Sequence, residues 1–271
     1  SGWGGLSDAF EPNKDSWHSE YTELKNLLTE EEYAAARSST LTAFYTPPEV
    51  IDAMYTALRK MGVGAGTILE PSMGVGAFFG QSHSYLYEPN TRLFGVELDS
   101  LTGRIARQLY QKANIQITGF EKADLPDSFF DVVIGNVPFG DYSVVDPQYN
   151  RLHFKIHDYF FAKSIDKLRT GGIIAFITTS GTLDKKSEEV RRYINARCDF
   201  IGAVRLPDST FKSAGTKAMA DIIFLQKRDR ILEQDAGWLH TTQTEDGLSL
   251  NSYFAEHPEM VCGTLKTVSG P

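Results

Sequence analysis

Short apolar runs rich in Val, Ile, Leu and Phe recur along this chain, and between them apolar residues fall at the three- and four-residue spacings of amphipathic helices. The N-terminal stretch, S-G-W-G-G-L and then polar residues to about Ser19, is predicted to be irregular or docked chain that buries little. From Glu20 to Arg37, Leu24, Leu27, Leu28, Tyr33 and Ala36 predict two short helices. T-P-P-E-V-I-D-A-M predicts a strong helix start, with Thr46 as N-cap, Pro47 as first helical residue and Glu49 as capping-box partner. T-I-L-E followed by P-S-M-G-V-G-A-F-F-G reads as strand, glycine loop and helix. R-L-F-G-V-E-L-D gives a second strand, with Asp99 capping a helix to about Ala113, and I-Q-I-T-G-F-E-K-A-D gives a third strand and its exit. F-D-V-V-I-G-N is a fourth strand, I-H-D-Y-F-F-A-K-S-I-D-K-L a helix and G-G-I-I-A-F-I-T-T a fifth strand. The runs F-I-G-A-V-R-L-P and A-D-I-I-F-L-Q-K-R are joined by a loop with no room for a crossover helix, so they pair antiparallel. Five crossover-linked strands and a hairpin predict an α/β fold: seven strands, mostly parallel, with an antiparallel C-terminal hairpin and helices on both faces.

With 271 residues, 41% of them hydrophobic, the chain suffices for one large α/β domain or a domain with a small appendage. No run reaches the length of a membrane span and no basic-then-apolar leader opens the sequence, so a soluble, cytoplasmic protein is expected. Cys198 and Cys262 form no C-x-x-C pair and predict inert thiols. His153 and His157 lack ligand-spaced partners, so packing or surface roles and no metal are expected. Between Asp184 and Arg197 the cations Lys185, Lys186, Arg191, Arg192 and Arg197 lie within helical pairing distance of Glu188 and Glu189, which favours a solvated, self-paired helix over a phosphate-contacting face. Net charge is −8, from 27 basic and 35 acidic residues. Any nucleic-acid contact must therefore use a local basic face or another domain.

The chemistry concentrates where the fourth strand ends, at Asn136-Val137-Pro138-Phe139. An amine conjugated with a ring or a carbonyl is a poor nucleophile because its lone pair is delocalised, and two acceptors set against its N–H bonds localise that pair. Asn136 supplies a neutral side-chain carbonyl and Val137 a backbone one, Pro138 fixes φ, and Phe139 offers a ring face. Stacking on a nucleobase there contributes roughly 1–3 kcal/mol. Upstream, Gly74 and Gly76 give G-x-G, but Phe79 stands where a dinucleotide fingerprint has its third glycine, and no Walker lysine follows. Glu97, at a strand end about twenty residues on, suits two ribose hydroxyls. The loop from Gly140 to Arg151 is long enough to act as a lid.

N-V-P-F resembles the N-P-P-[FY] catalytic motif of S-adenosylmethionine-dependent amino-methyltransferases, most often adenine-N6 DNA methyltransferases, with Val137 in place of the first proline. Y-T-P-P-E resembles the N-terminal cofactor motif of their gamma arrangement, and L-E-P-S-M-G-V-G resembles their [DE]-P-x-x-G-x-G loop. With G-W-G-G-L, H-D-Y-F-F and R-L-P, the series looks most like the methyltransferase module of large methylase–helicase fusion proteins of bacterial mobile elements and phages. The resemblance spans Ala43 to Arg228 and implies a Rossmann-like methyltransferase sheet over residues 43–230, an N-terminal helical extension over 1–42 and a tail over 231–271, too short for a target-recognition domain. It implies S-adenosyl-L-methionine as cofactor, held by Tyr45, Thr46, Glu70, Pro71, Ser72, Gly74, Gly76, Glu97, Leu98 and Asn136, with Glu121 or Asp124 at its adenine. It implies DNA as partner, reached with help from another domain of a larger bacterial polypeptide. Asn136, Val137, Pro138 and Phe139 would be catalytic, with Phe139 and Phe211 enclosing a flipped base. Protein-glutamine and RNA methyltransferases share the tetrapeptide, and a silent cofactor- or DNA-binding module is a further alternative.

Overall fold

A computed structural model of the chain describes residues 3, 6–40, 46–85, 90–214, 219–244 and 247–263. In chain order its elements are α1 (His18–Leu27), α2 (Glu30–Ser39), α3 (Pro48–Lys60), β1 (Thr67–Glu70), α4 (Ala77–Tyr85), β2 (Arg92–Glu97), α5 (Ser100–Leu109), β3 (Asn114–Ile117), β4 (Phe130–Asn136), α6 (Ile156–Lys167), β5 (Leu168–Thr179), α7 (Gly181–Asp184), α8 (Glu189–Asn195), β6 (Cys198–Leu206), β7 (Ala220–Lys227), β8 (Thr241–Gln243), β9 (Ser249–Asn251) and α9 (Ser252–Glu256). Seven strands form one sheet in the order β3-β2-β1-β4-β5-β7-β6, and β8 and β9 form a separate antiparallel pair. Strands β1 to β3 are mutually parallel, as are β4 and β5, and β7 runs antiparallel to both β5 and β6. This is the seven-stranded, mostly parallel arrangement with an antiparallel hairpin that the hydrophobic pattern predicts.

Two compact units divide the chain. The first comprises Ser1–Asp124 with Thr210–Lys217, the second Leu125–Ser209 with Ala218–Pro271. In the first, β1 is buried along its whole length, as expected of a strand covered on both faces. The N-terminal stretch buries more than its polarity predicts. Phe10 is fully buried and packs on Tyr33, with Trp3 meeting its ring edge-on at 5.5 Å, and Arg104 of α5 pairs with Glu32 of α2. A few large rings thus build a small core inside an otherwise polar segment. Helix α3 begins one residue later than predicted, with Pro47 rather than Thr46 at the N-cap and no capping hydrogen bond from that residue. Pro48 is the cause: a residue before proline is driven out of the helical region, and Pro47 sits at φ −57°, ψ 140°.

In the second unit, Val132 to Gly135 of β4 and Ile173 to Ile177 of β5 are buried without a break. Charge enters this core. Arg205 of β6 is buried between Asp221 of β7, which accepts from Nε at 2.8 Å and Nη2 at 2.9 Å, and Asp184 of α7 at 2.8 Å. Its ring-facing side lies 4.3 Å from the centre of Phe254. Residues after β7 fold back onto the same elements: the Asn251 side chain donates to the Leu183 and Trp238 carbonyls, and Arg191 Nε donates to the Leu239 carbonyl. The fork of Arg205 is therefore shared between two carboxylates, and removal of one leaves a partly uncompensated buried cation. Asp221→Ala is expected to lower unfolding free energy by about 3–5 kcal/mol in urea titrations. Asp199→Ala, which removes the half-exposed partner of Arg228, should cost under about 1 kcal/mol.

Candidate functional site

In the first unit the site is built on the loop between β1 and α4. The parallel register sets Glu70 beside Gly95, so β2 runs two residues further and ends on Glu97. The glycine loop folds back over that end. Met73 N–H donates to the Val96 carbonyl at 3.0 Å, and Gly74 N–H donates to Glu97 Oε2 at 2.7 Å. Asp99 N–H donates to the other oxygen of Glu97 at 2.8 Å, and Asp99 in turn caps α5 as its position predicts, accepting from the amides of Leu101 and Thr102. Burial raises the Glu97 carboxyl, while the bonds from Asp99 and Gly74 oppose that rise. Each carboxylate oxygen keeps a second lone pair beyond the amide it accepts.

Both loop glycines adopt conformations that other residues avoid, φ +56° at Gly74 and +85° at Gly76. At Gly74 an added Cβ would meet open space, so the backbone is bare toward whatever approaches. At Gly76 it would lie 2.4 Å from the ring of Tyr110, whose hydroxyl donates to the Gly76 carbonyl at 2.7 Å. Tyr110 thus fastens the loop from beneath, a role that nothing in its local sequence signals. Glu70 is 2% exposed, and its Oε2 is buried without a hydrogen-bond partner. Desolvation holds its carboxyl well above the ordinary range, with the charge of Glu97 adding to the effect. A buried, orphaned carboxylate oxygen beside a bare glycine turn fits the ammonium end of an amino-acid-bearing cofactor.

Pro71 is buried, Ser72 half-buried, and Leu98 is 76% exposed beside Glu97, an apolar surface on which a flat ring could lie. Thr46 is buried before α3, and Tyr45 lies outside the described residues. Of the two acids after β3, Glu121 is half-buried in a short turn and folds its carboxylate back over Gly119. Asp124 is exposed, and its backbone is held by Gln116, whose side chain donates to the Asp124 carbonyl at 2.7 Å and accepts from its amide at 2.9 Å.

In the second unit, Asn136 is the last residue of β4, in register with Ile177 of β5, and its side-chain Oδ1 is buried. Val137 is buried, and its N–H donates to the Ile177 carbonyl at 3.0 Å, which fixes the peptide plane on which the tetrapeptide turns. Pro138 and Phe139 are half-buried. Tyr142 packs across Gly140, where a Cβ would lie 2.4 Å from its ring. The following loop is pinned rather than loose: buried Asp146 accepts from Tyr159 at 2.7 Å and Lys163 at 3.0 Å, both on α6, and Tyr149 donates to Asp166 at 2.7 Å.

The basic segment after β5 is mostly structural. Lys185 pairs with Asp158, Arg191 is fully buried, Arg192 pairs with Glu188 at i,i+4, and Arg197 lies over the ring of Tyr193. His157 is buried beside Asp158, and burial lowers its pKa below the usual imidazole range; His153 is exposed, at φ +50°. Among the described residues no cluster of His, Cys, Asp and Glu could hold a metal, and no helix is long and apolar enough to cross a membrane. Cys198 is buried and its thiol is pushed up to about 12, whereas Cys262 is exposed. Phe211 is fully buried in the turn after β6, so stacking on a base would require that turn to move.

Residues 27–248 match the family model described as N-6 DNA Methylase. The chain is 27% identical over 208 residues to the Defense against restriction protein B of Escherichia phage P1, covering 74% of this chain but only 9% of that protein's length. A type I restriction-modification system methyltransferase subunit from Streptococcus thermophilus superposes with a TM-score of 0.58 at 20% identity, over 79% of this chain and 49% of that one. A Listeria monocytogenes protein assigned to the class I S-adenosylmethionine-dependent methyltransferases gives a TM-score of 0.56 at 18% identity, over 82% and 78% of the two chains. The sheet has the S-adenosylmethionine-dependent methyltransferase fold, and with the family match running from the end of α1 to the loop between β8 and β9, the chain belongs to the N-6 DNA Methylase family.

Proposed function

We propose that this chain transfers the methyl group of S-adenosyl-L-methionine to the N6 amine of an adenine in DNA. The observation that carries the reading is the placement of Asn136: a neutral carboxamide at the carboxyl end of a buried parallel strand, its oxygen buried and the next peptide anchored to the neighbouring strand. The family's description and the restriction-related relatives support DNA as the acceptor. The acidic balance and the structural use of the segment from Lys185 to Arg197 support a second domain or partner that brings the DNA.

The cofactor supplies an electrophilic methyl carbon on a sulfonium. Glu70 would receive its ammonium group, Glu97 its ribose hydroxyls through the lone pairs the backbone leaves free, and Gly74 and Gly76 would let the loop backbone approach it. Leu98 would lie against its adenine, with Glu121 favoured over exposed Asp124 to accept from the adenine amine. Tyr45, Thr46, Pro71 and Ser72 complete the proposed donor site. On the acceptor side, Asn136 Oδ1 and the Val137 carbonyl would accept from the two N–H bonds of the target amine and localise its lone pair. Pro138 holds the turn, and Phe139 stacks on a base flipped out of the duplex. The amine would attack in line, its N–C bond forming as the sulfonium S–CH3 bond breaks, S-adenosylhomocysteine would leave and the surplus amine proton would pass to solvent, so these residues contribute orientation rather than a strong base. Val137 in place of a proline keeps the only group this scheme requires of that position, its carbonyl.

Asn136→Ala is expected to leave cofactor affinity within about threefold while lowering methyl transfer at least about 100-fold, the scale of losing one oriented polar group at a reacting centre. A labelled-methyl assay offering DNA, RNA and protein separately checks both the loss and the acceptor. Undiminished transfer would reject the assignment. Glu97→Ala removes two anchors of the glycine loop, and calorimetry should show cofactor affinity reduced by about 10–100-fold.

A further inference from the structure

Glu70 presents a problem that the proposed cofactor contact does not by itself solve. It is a carboxyl with one oxygen sealed from solvent and without a hydrogen-bond partner, and among the described residues no Lys, Arg or His forms an ion pair with it. Among the described residues, the titratable groups whose fields reach it from the elements packed around it are Glu97 at the end of β2, Tyr55 on α3 and Tyr110 after α5. None is a cation. Both tyrosine hydroxyls are committed elsewhere, Tyr55 to the Phe78 carbonyl at 3.0 Å and Tyr110 to the Gly76 carbonyl at 2.7 Å. An ionised carboxylate in that position would face a second carboxylate and receive nothing at its buried oxygen.

We infer that Glu70 senses the charge of the ligand: it is protonated in the free protein and gives up that proton when a ligand bearing an ammonium group enters, so that cationic capture and proton release are one event. The inference rests on the cofactor reading above and deepens it. The O–H bond of the Glu70 carboxyl breaks, its proton passes to bulk buffer, and the carboxylate charge is matched by the incoming ammonium, so these two charges cancel each other on loading. Ligand shape is read by the glycine loop, whereas ligand charge is read by whether Glu70 can be ionised. The bound state holds fewer protons, so affinity rises with pH while free Glu70 is protonated and falls once the ligand's own ammonium deprotonates above about 8.

The test is isothermal calorimetry of the wild-type chain at about pH 6.5, below the ordinary α-amino range of about 8, in two buffers of different ionisation enthalpy. S-adenosylmethionine and S-adenosylhomocysteine share the ammonium and differ in the sulfonium, while 5′-methylthioadenosine lacks the amino-acid moiety altogether. The first two are expected to release about one proton each and the third none. Glu70→Gln should bind the first two more weakly and abolish the release. If that variant fails to fold, the three-ligand comparison on the wild type decides alone. Binding with no proton exchanged overturns the charge-sensing role and leaves the cofactor assignment standing. Absence of binding by all three ligands overturns both.

Discussion

Much of the first unit depends on one side chain's two oxygens. Glu97 stands at the end of β2, and by accepting from Gly74 on one side and Asp99 on the other it ties three consecutive features together: the glycine turn, the strand end and the start of α5. Without that carboxylate, the turn through two positive-φ glycines would be left with the Met73 amide's bond to the Val96 carbonyl and the Tyr110 bond to Gly76. With it, and with Tyr110 beneath Gly76, the turn is held from two directions. This preorganisation means that little ordering free energy has to be spent when a ligand arrives.

What the sequence made legible, and what it hid, divides along a physical line. Strand positions were legible because β-branched runs such as Val132–Ile134 and Ile173–Ile177 have to be buried on both faces of a parallel sheet, and the missing crossover between β6 and β7 left antiparallel pairing as the solution. The glycine loop and Glu97 were legible because their spacing along the chain is itself the geometry. The start of α3 lies one residue beyond where a capping Thr would put it, since the rule for that cap yields to the steric rule for the residue before a proline. Phe10 and Trp3 were hidden for a different reason: three or four rings can form a core without any periodicity.

Buried charge was the least legible part. Arg191, Arg192 and Lys185 look alike along the sequence, yet Arg191 is enclosed by backbone carbonyls, Arg192 lies on a half-exposed i,i+4 pair, and Lys185 neutralises the buried Asp158. For two of the three a partner lies far away along the chain: Leu239 is 48 residues from Arg191, and Asp158 is 27 residues from Lys185. Local pairing rules count only neighbours within a helical turn, so such contacts cannot enter them. The same holds for Glu70, whose meaning comes from what is missing around it.

The anchoring of Asp146 has a mechanical consequence. Because its carboxylate is held by Tyr159 and Lys163, and its backbone carbonyl accepts from both Tyr149 and Asn150, the segment from 146 onward behaves as part of helix α6. The residues that follow Phe139 are tied to the same helix start: Ile156 N–H donates to the Tyr142 carbonyl at 2.8 Å and the Ser143 hydroxyl to the Phe154 carbonyl at 2.8 Å. A stretch long enough for a sweeping cover is thus stapled to one helix, and its shape follows that helix rather than its own length.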